Sequence, residues 1–204
     1  MALDTWLVYL GAAVLLSLTP GPNGLLALTS GALYGTRQAL FMVMGGALGF
    51  TLIIALSMVG IGALLQASAQ VLVVMKWLGG AYLVWLGIQV WRAAPPDLNV
   101  QDRTAHMPSG RVLFRRGLLA AISNPKAILF FGAFLSQFIN PQRSLFGQFA
   151  IMAATFVLIE IFTELLIASL AQRVRRWLQR CGRRFNQVCG GLFAMIGLSL
   201  PFSQ

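Results

Sequence analysis

Six stretches of this chain, 5–30, 39–65, 71–91, 117–138, 146–170 and 185–202, are apolar for long enough to cross a bilayer as helices. A spanning helix takes roughly 17 to 25 predominantly apolar residues, because its backbone must satisfy its own hydrogen bonds in hydrocarbon. The other architecture that can do so is a barrel of strands about 10 residues long with alternating polarity, which does not fit runs this long and continuous. The composition agrees: 58% of the residues are hydrophobic and 10% charged, against roughly 45–50% and about 25% in soluble domains. The expected fold is an all-α integral membrane bundle of six helices, with almost no chain left for a soluble domain. The first stretch reads as a span and not as a removable signal. Asp4 precedes it without any basic residue, and no clean small-residue cleavage pattern follows.

Basic residues orient the spans. Arg37 follows the first; Arg92, Arg103, Arg111, Arg115 and Arg116 follow the third; Arg173, Arg175, Arg176, Arg180, Arg183 and Arg184 follow the fifth, which puts twelve on one side. The other side carries Arg143 alone, while Lys76 and Lys126 fall inside spans. Both termini are therefore expected outside, with three basic loops in the cytoplasm. The net charge of +10 does not call for nucleic acid, because RVRRWLQRCGRRF beside a span is explained by attraction to anionic lipid headgroups, with Trp177 and Phe185 at the interface. Trp77, Tyr82, Trp85 and Trp91 in span three read as interfacial anchors. No cofactor or metal is expected: Cys181 and Cys189 match no ligand spacing, and His106 stands alone in a polar loop.

The spans divide into two units of three, at about 1–91 and 117–204, joined by a polar cytoplasmic linker at about 92–116 within one transmembrane domain. Each unit opens with a span that carries a breaker, TPGPN at 19–23 and SNPKA at 123–127. A unit with an odd number of spans must be inserted the other way up when it is repeated. That is the arrangement of inverted-repeat transporters, whose sites form at discontinuous helices near the midplane. Proline and glycine free backbone N–H and C=O groups, which must then line a cavity or face protein. A helix restarting at Pro22 would aim its first N–H groups and the positive end of its dipole at such a cavity, which favours a carboxylate. Asn23 can cap the restart or donate to a ligand. One Pro-Gly-Pro is explained by a packing kink; the matching break in the second half is what makes Pro20, Gly21, Pro22, Asn23, Asn124, Pro125 and Lys126 candidate site residues.

Charges inside spans point the same way, since they usually face an interior or an aqueous path. Counting about 1.5 Å per residue, Lys126 lies roughly 15 Å, Glu160 roughly 18 Å and Pro22 roughly 22 Å from the cytoplasmic ends of their spans, so the three converge near mid-bilayer. Glu160 and Glu164 are four apart and share one helix face. A carboxyl group in a poorly hydrated site can exchange a proton as the site alternates between compartments. Glu160 is the leading candidate for this and for holding a substrate ammonium; the alternative is a buried ion pair with Lys126 that fixes helix packing. Glu164 belongs either to the same site or to a wetted vestibule nearer the cytoplasm. Gly45 and Gly49 permit close helix approach, within one subunit or across a homodimer.

In order, TPGPN, a glycine-rich second span, KWLGGAYLVWLGIQVWR and SNPKAILFFGAFLSQFI resemble the lysine exporter superfamily (LysE/RhtB type), in its homoserine and threonine resistance branch, over essentially the whole chain. The resemblance implies a six-helix inner-membrane exporter of amino acids or related small metabolites, exchanged for protons. It puts one family motif on Pro20, Gly21, Pro22 and Asn23 and the other on Asn124, Pro125 and Lys126. Glu160 falls where relatives most often carry aspartate, and Ser136 where they often carry proline, which implies a weaker kink near the outer end of span four. The competing reading is a passive channel or membrane scaffold. An intramembrane enzyme does not fit a sequence without a membrane-embedded histidine, an HExxH motif or paired aspartates.

Overall fold

The computed structural model describes residues 1–19, 21–67, 69–92, 107–140 and 142–199. Pro20 and most of the linker, including the APPDLN turn and His106, lie outside the described residues. Within them the chain is all-α: α1 (Leu3–Leu18), α2 (Pro22–Tyr34), α3 (Thr36–Ala67), α4 (Ala69–Arg92), α5 (Gly110–Ile122), α6 (Pro125–Leu129), α7 (Leu145–Ser169) and α8 (Ala171–Ser199). A π-helical turn, Phe130–Phe134, and a 3-10 turn, Leu135–Phe138, extend α6.

Both expected breaks are present, and the residues that precede proline account for them. Thr19 before Pro20, Gly21 before Pro22 and Asn124 before Pro125 are all extended, with ψ of 124°, 178° and 106°. The ring of the following proline disfavours the helical region at each of these positions. As a result α1 and α2 meet at 53°, and α5 meets the segment Lys126–Phe138 at 46°. The stretch Thr36–Gly60 of α3 and the whole of α7 are each long and apolar enough to cross a membrane. Among the described residues there are thus two spanning helices, or up to four spans if each bent pair is one.

Two boundaries differ from the sequence reading. Span four was expected from 117, after a linker reaching 116, but α5 starts at Gly110. Arg111, Arg115 and Arg116 lie on its exposed side, while Leu113, Gly117 and Ala121 face inward at successive turns. The basic loop expected before span six is likewise helical, and Leu170 alone separates α7 from α8. Arginine is a good helix former, so charge marks where a chain leaves hydrocarbon and not where its helix ends.

Close helix approach organises the packing. A Cβ on Gly45 would strike the Phe114 carbonyl oxygen, one on Gly117 the Met42 carbonyl oxygen, and one on Gly49 would come 2.6 Å from Ala121 Cβ. Gly45 and Gly49 therefore serve the α3–α5 contact within the chain. Around this scaffold runs a chain of rings, Tyr9, Phe138, Phe134, Phe130, Phe131, Phe156 and Phe50, with successive centroids 4.6–5.3 Å apart and mostly edge to face. It ties α1, the irregular end of span four, α7 and α3 together. Tyr9 Oη donates to the Met152 carbonyl at 2.9 Å and Trp6 Nε1 to Thr155 Oγ1 at 3.1 Å, which pins α1 against α7. Ser136 is fully buried in the 3-10 turn, so this span leaves α-helical geometry without a proline there.

Gly117→Ala should lower the thermal stability of the detergent-solubilised protein by the upper part of the ~1–3 kcal/mol typical of overpacking, because the added methyl meets backbone. Gly11→Ala, with nothing within 4 Å, should leave the melting temperature unchanged. Equal melting temperatures for the two variants would contradict this packing.

Candidate functional site

The first break frees the last carbonyls of α1 inside the bundle, and Lys126 meets them. Its Nζ donates to the Leu16 carbonyl at 2.8 Å and to the Thr19 carbonyl at 2.9 Å. The helix also closes on itself, as Thr19 N and Thr19 Oγ1 donate to the Leu15 carbonyl at 3.0 and 2.7 Å. Gly21 gives the ammonium its room, since a Cβ there would lie 3.1 Å from Lys126 Nζ. A side chain at this glycine would press on the ammonium, whereas its extended backbone is open to any residue.

The two restarting helices differ. At α6, Asn124 is the N-cap, and its Oδ1 accepts from Lys126 N at 3.1 Å. Its side chain is therefore committed to the fold. At α2 the N-cap is Gly21, which has no side chain to offer, so the first N–H groups of the 13-residue helix meet no side-chain cap. Pro125 begins α6 and Pro22 begins α2, the helix position where a missing N–H costs nothing.

Helix α7 supplies the acids. Met152, Phe156, Glu160, Thr163 and Glu164 form its buried stripe, so both carboxylates face the bundle interior. Glu160 is 7% exposed, and Glu164, at 2%, is the more deeply buried of the two. The charges of Lys126, Glu160 and Glu164 act on one another. Glu160 faces Lys126 and Ser17, whereas Glu164 faces Asn23. A Cβ on Gly46 of α3 would lie 2.7 Å from Asn23 Nδ2 and 3.6 Å from Glu164 Oε2, which puts that glycine at the wall of the same pocket of polarity. Ser17 Oγ, both polar atoms of Asn23, Glu160 Oε2 and both oxygens of Glu164 make no hydrogen bond among the described residues. Buried polar atoms are nearly always paired, and these six lie together at the two breaks.

Gly21, Pro22, Asn23, Asn124, Pro125, Lys126, Glu160 and Glu164 are thus drawn to the two breaks, with Pro20 outside the described residues. Ser17 and Gly46 join them without having been singled out by the sequence. A serine two residues before the Thr-Pro of the break was the available signal for the first. For the second, the adjacent glycine Gly45 masked a different role.

Buried charge at paired helix breaks in a membrane bundle defines a carrier, a protein that moves a polar solute across the bilayer. The LysE type translocator family matches residues 14–204. The chain is 36% identical to the homoserine/homoserine lactone efflux protein of Salmonella typhimurium over all of this chain and 99% of that one. It is 31% identical to the leucine efflux protein of Klebsiella pneumoniae over 98% and 95% of the two chains, and 29% identical to the threonine efflux protein of Salmonella typhi over 92% of each. No solved structure matches. The chain belongs to the LysE type translocator family. It is a multi-pass protein of the inner (plasma) membrane and a secondary efflux transporter of amino-acid type, not an enzyme.

Lys126→Met should destabilise the protein by about 1–3 kcal/mol, because it leaves the buried Leu16 and Thr19 carbonyls without their donor. Lys126→Met combined with Glu160→Gln should recover part of that loss in thermal unfolding. A double variant no more stable than the single one would mean that Lys126 and Glu160 are not coupled.

Proposed function

We propose that this translocator exports small neutral amino acids, of the size of homoserine and threonine, in exchange for protons. In this reading the substrate carboxylate lies against the uncapped N-terminus of α2 and its ammonium against the acids of α7. The observation that carries it is the buried cluster of unpaired polar atoms on Asn23, Glu160 and Glu164 between the two breaks. A helix N-terminus suits a carboxylate, and a carboxylate pair suits an ammonium. The relatives named for homoserine, leucine and threonine efflux support an α-amino acid, with the side-chain preference left to the walls of the site.

The reading includes six spans in two inverted repeats, about 1–91 and 117–204, with both termini outside. Support comes from register. Pro22 and Pro125 are 103 positions apart, and so are Gly87 and Gly190. A Cβ on either of these glycines would strike the carbonyl oxygen of the other, the reciprocal contact that a two-fold axis generates. The same shift carries α4 onto α8 and α2 onto the segment that starts at Pro125. Anionic lipid headgroups are the lipid partners of this reading. A groove of about 430 Å³ lined by Phe41, Gly110, Arg111, Phe114 and Arg115 offers them both charge and an apolar wall. A homodimer would have to use a surface other than the Gly45–Gly49 seam.

The test is efflux from cells preloaded with labelled homoserine, threonine, leucine and lysine, with and without a proton gradient. Saturable, gradient-dependent efflux of the small neutral amino acids is expected. Glu160→Gln should lower it at least tenfold at equal expression. Unsaturable flux that ignores the gradient would favour a passive channel, and gradient-driven efflux unchanged in Glu160→Gln would remove that residue from the mechanism.

A further inference from the structure

The charges around the breaks do not balance. Helix α7 brings Glu160 and Glu164, and α6 brings Lys126. Among the described residues, the other elements packed on α7 add no formal charge to the cluster: α1 contributes Ser17 and Tyr9, the latter bonded to the Met152 carbonyl, α2 contributes Asn23 and α3 contributes Gly46. From α8, Cys189 faces Lys126. With both carboxylates ionised the cluster carries one excess negative charge, and an unbalanced charge in a poorly hydrated interior is costly. One further positive charge therefore belongs to the site.

Geometry decides which acid takes it. An ammonium has three N–H donors, and Lys126 uses two of them on the Leu16 and Thr19 carbonyls, which holds it at the end of α1. Ser17 of α1 faces Glu160 on that same side. One helical turn away, Glu164 stands against Asn23 and Gly46 beside the uncapped start of α2. Its strongest charged neighbour is Glu160, a like charge, and Lys126 acts on it more weakly. The repeat register points to the same asymmetry, since a shift of 103 sets Glu160 and Glu164 opposite Ser57 and Ile61. Among the described residues, the second repeat alone supplies acids to the cluster.

We infer that Glu164 holds one exchangeable positive charge, a proton when the site is empty of substrate and the substrate's ammonium when it is filled, so that the two exclude each other. This rests on the amino-acid efflux reading above. The exchange balances: the carboxylic acid of Glu164 and a zwitterionic amino acid, already protonated on nitrogen, give a carboxylate–ammonium pair and one free proton. After the amino acid leaves on the outer side, Glu164 takes a proton there and gives it up inside to the next substrate. One proton enters for each amino acid exported. Glu160, on the side of the cluster toward Lys126 and Ser17, positions the pair and does not exchange.

The full-length protein in nanodiscs, titrated calorimetrically with L-homoserine, L-threonine and L-leucine in phosphate and in Tris, reads the proton count directly. Binding should release about one proton per amino acid, and affinity should rise up to tenfold per pH unit while Glu164 carries its proton. Glu164→Gln should bind more weakly, release none and lose the pH dependence. Wild-type binding without proton release overturns the inference and needs no variant to do so. One proton still released by Glu164→Gln overturns the assignment to Glu164. If none of the three amino acids binds to folded protein, the substrate reading itself falls, and the inference with it.

Discussion

A carbonyl released from a helix inside a bilayer has to find a donor, and here the donor for the end of α1 is Lys126. Its bonds to the Leu16 and Thr19 carbonyls join the break in the first half of the chain to the break in the second. Neither break is tolerable alone in hydrocarbon. Joined, they leave the chain free to bend by 53° and 46° and to expose backbone polarity to an enclosed interior. The glycine at Gly21 and the cap at Asn124 follow from that contact, the first by making room for the ammonium and the second by fixing the backbone that carries it.

A lysine held in this way brings a second requirement, a counter-charge, and α7 supplies more than one. Glu160 answers Lys126, while Glu164, one turn on, meets the neutral Asn23 and the small Gly46. The site is therefore divided along α7. Polar atoms without a hydrogen bond among the described residues lie on both sides, Ser17 Oγ and Glu160 Oε2 toward the lysine and those of Asn23 and Glu164 one turn away. In the reading proposed above, substrate and proton exchange on the second side. The surrounding rings from Tyr9 to Phe50 are rigid and apolar, so they concentrate that polarity at the breaks instead of diluting it.

Much of this could be read from the sequence. Apolar runs mark helices because hydrocarbon leaves a backbone few choices, and the Pro-Gly-Pro and Asn-Pro-Lys stretches set both breaks because a pre-proline residue resists helix. Counting residues set Lys126, Glu160 and Pro22 at similar distances from their span ends, and the structure brings Lys126 to the end of α1 beside the break. Other features were illegible for physical reasons. Hydropathy cannot see that Arg111 to Arg116 or the arginines after Arg173 are helical, since charge opposes burial but not helix formation. Helical periodicity puts Glu160 and Glu164 on one face, yet which acid meets the lysine depends on where α1 and α2 end in space. The π-helical turn at Phe130–Phe134 has no sequence signature beyond its aromatic content, and Gly46 looks like Gly45 until α2 is packed against it.

The central claim is that the polar cluster at the breaks lies on the transport path, and side-chain accessibility at Asn23 tests it most directly. In a Cys181→Ser, Cys189→Ser background, Asn23→Cys should react with a membrane-impermeant thiol reagent although Asn23 is only 2% exposed, because alternating access opens the site to water. Saturating L-homoserine should slow that reaction. A thiol that never reacts from either side of the membrane, in protein that still exports amino acids, would place the path elsewhere and contradict the account.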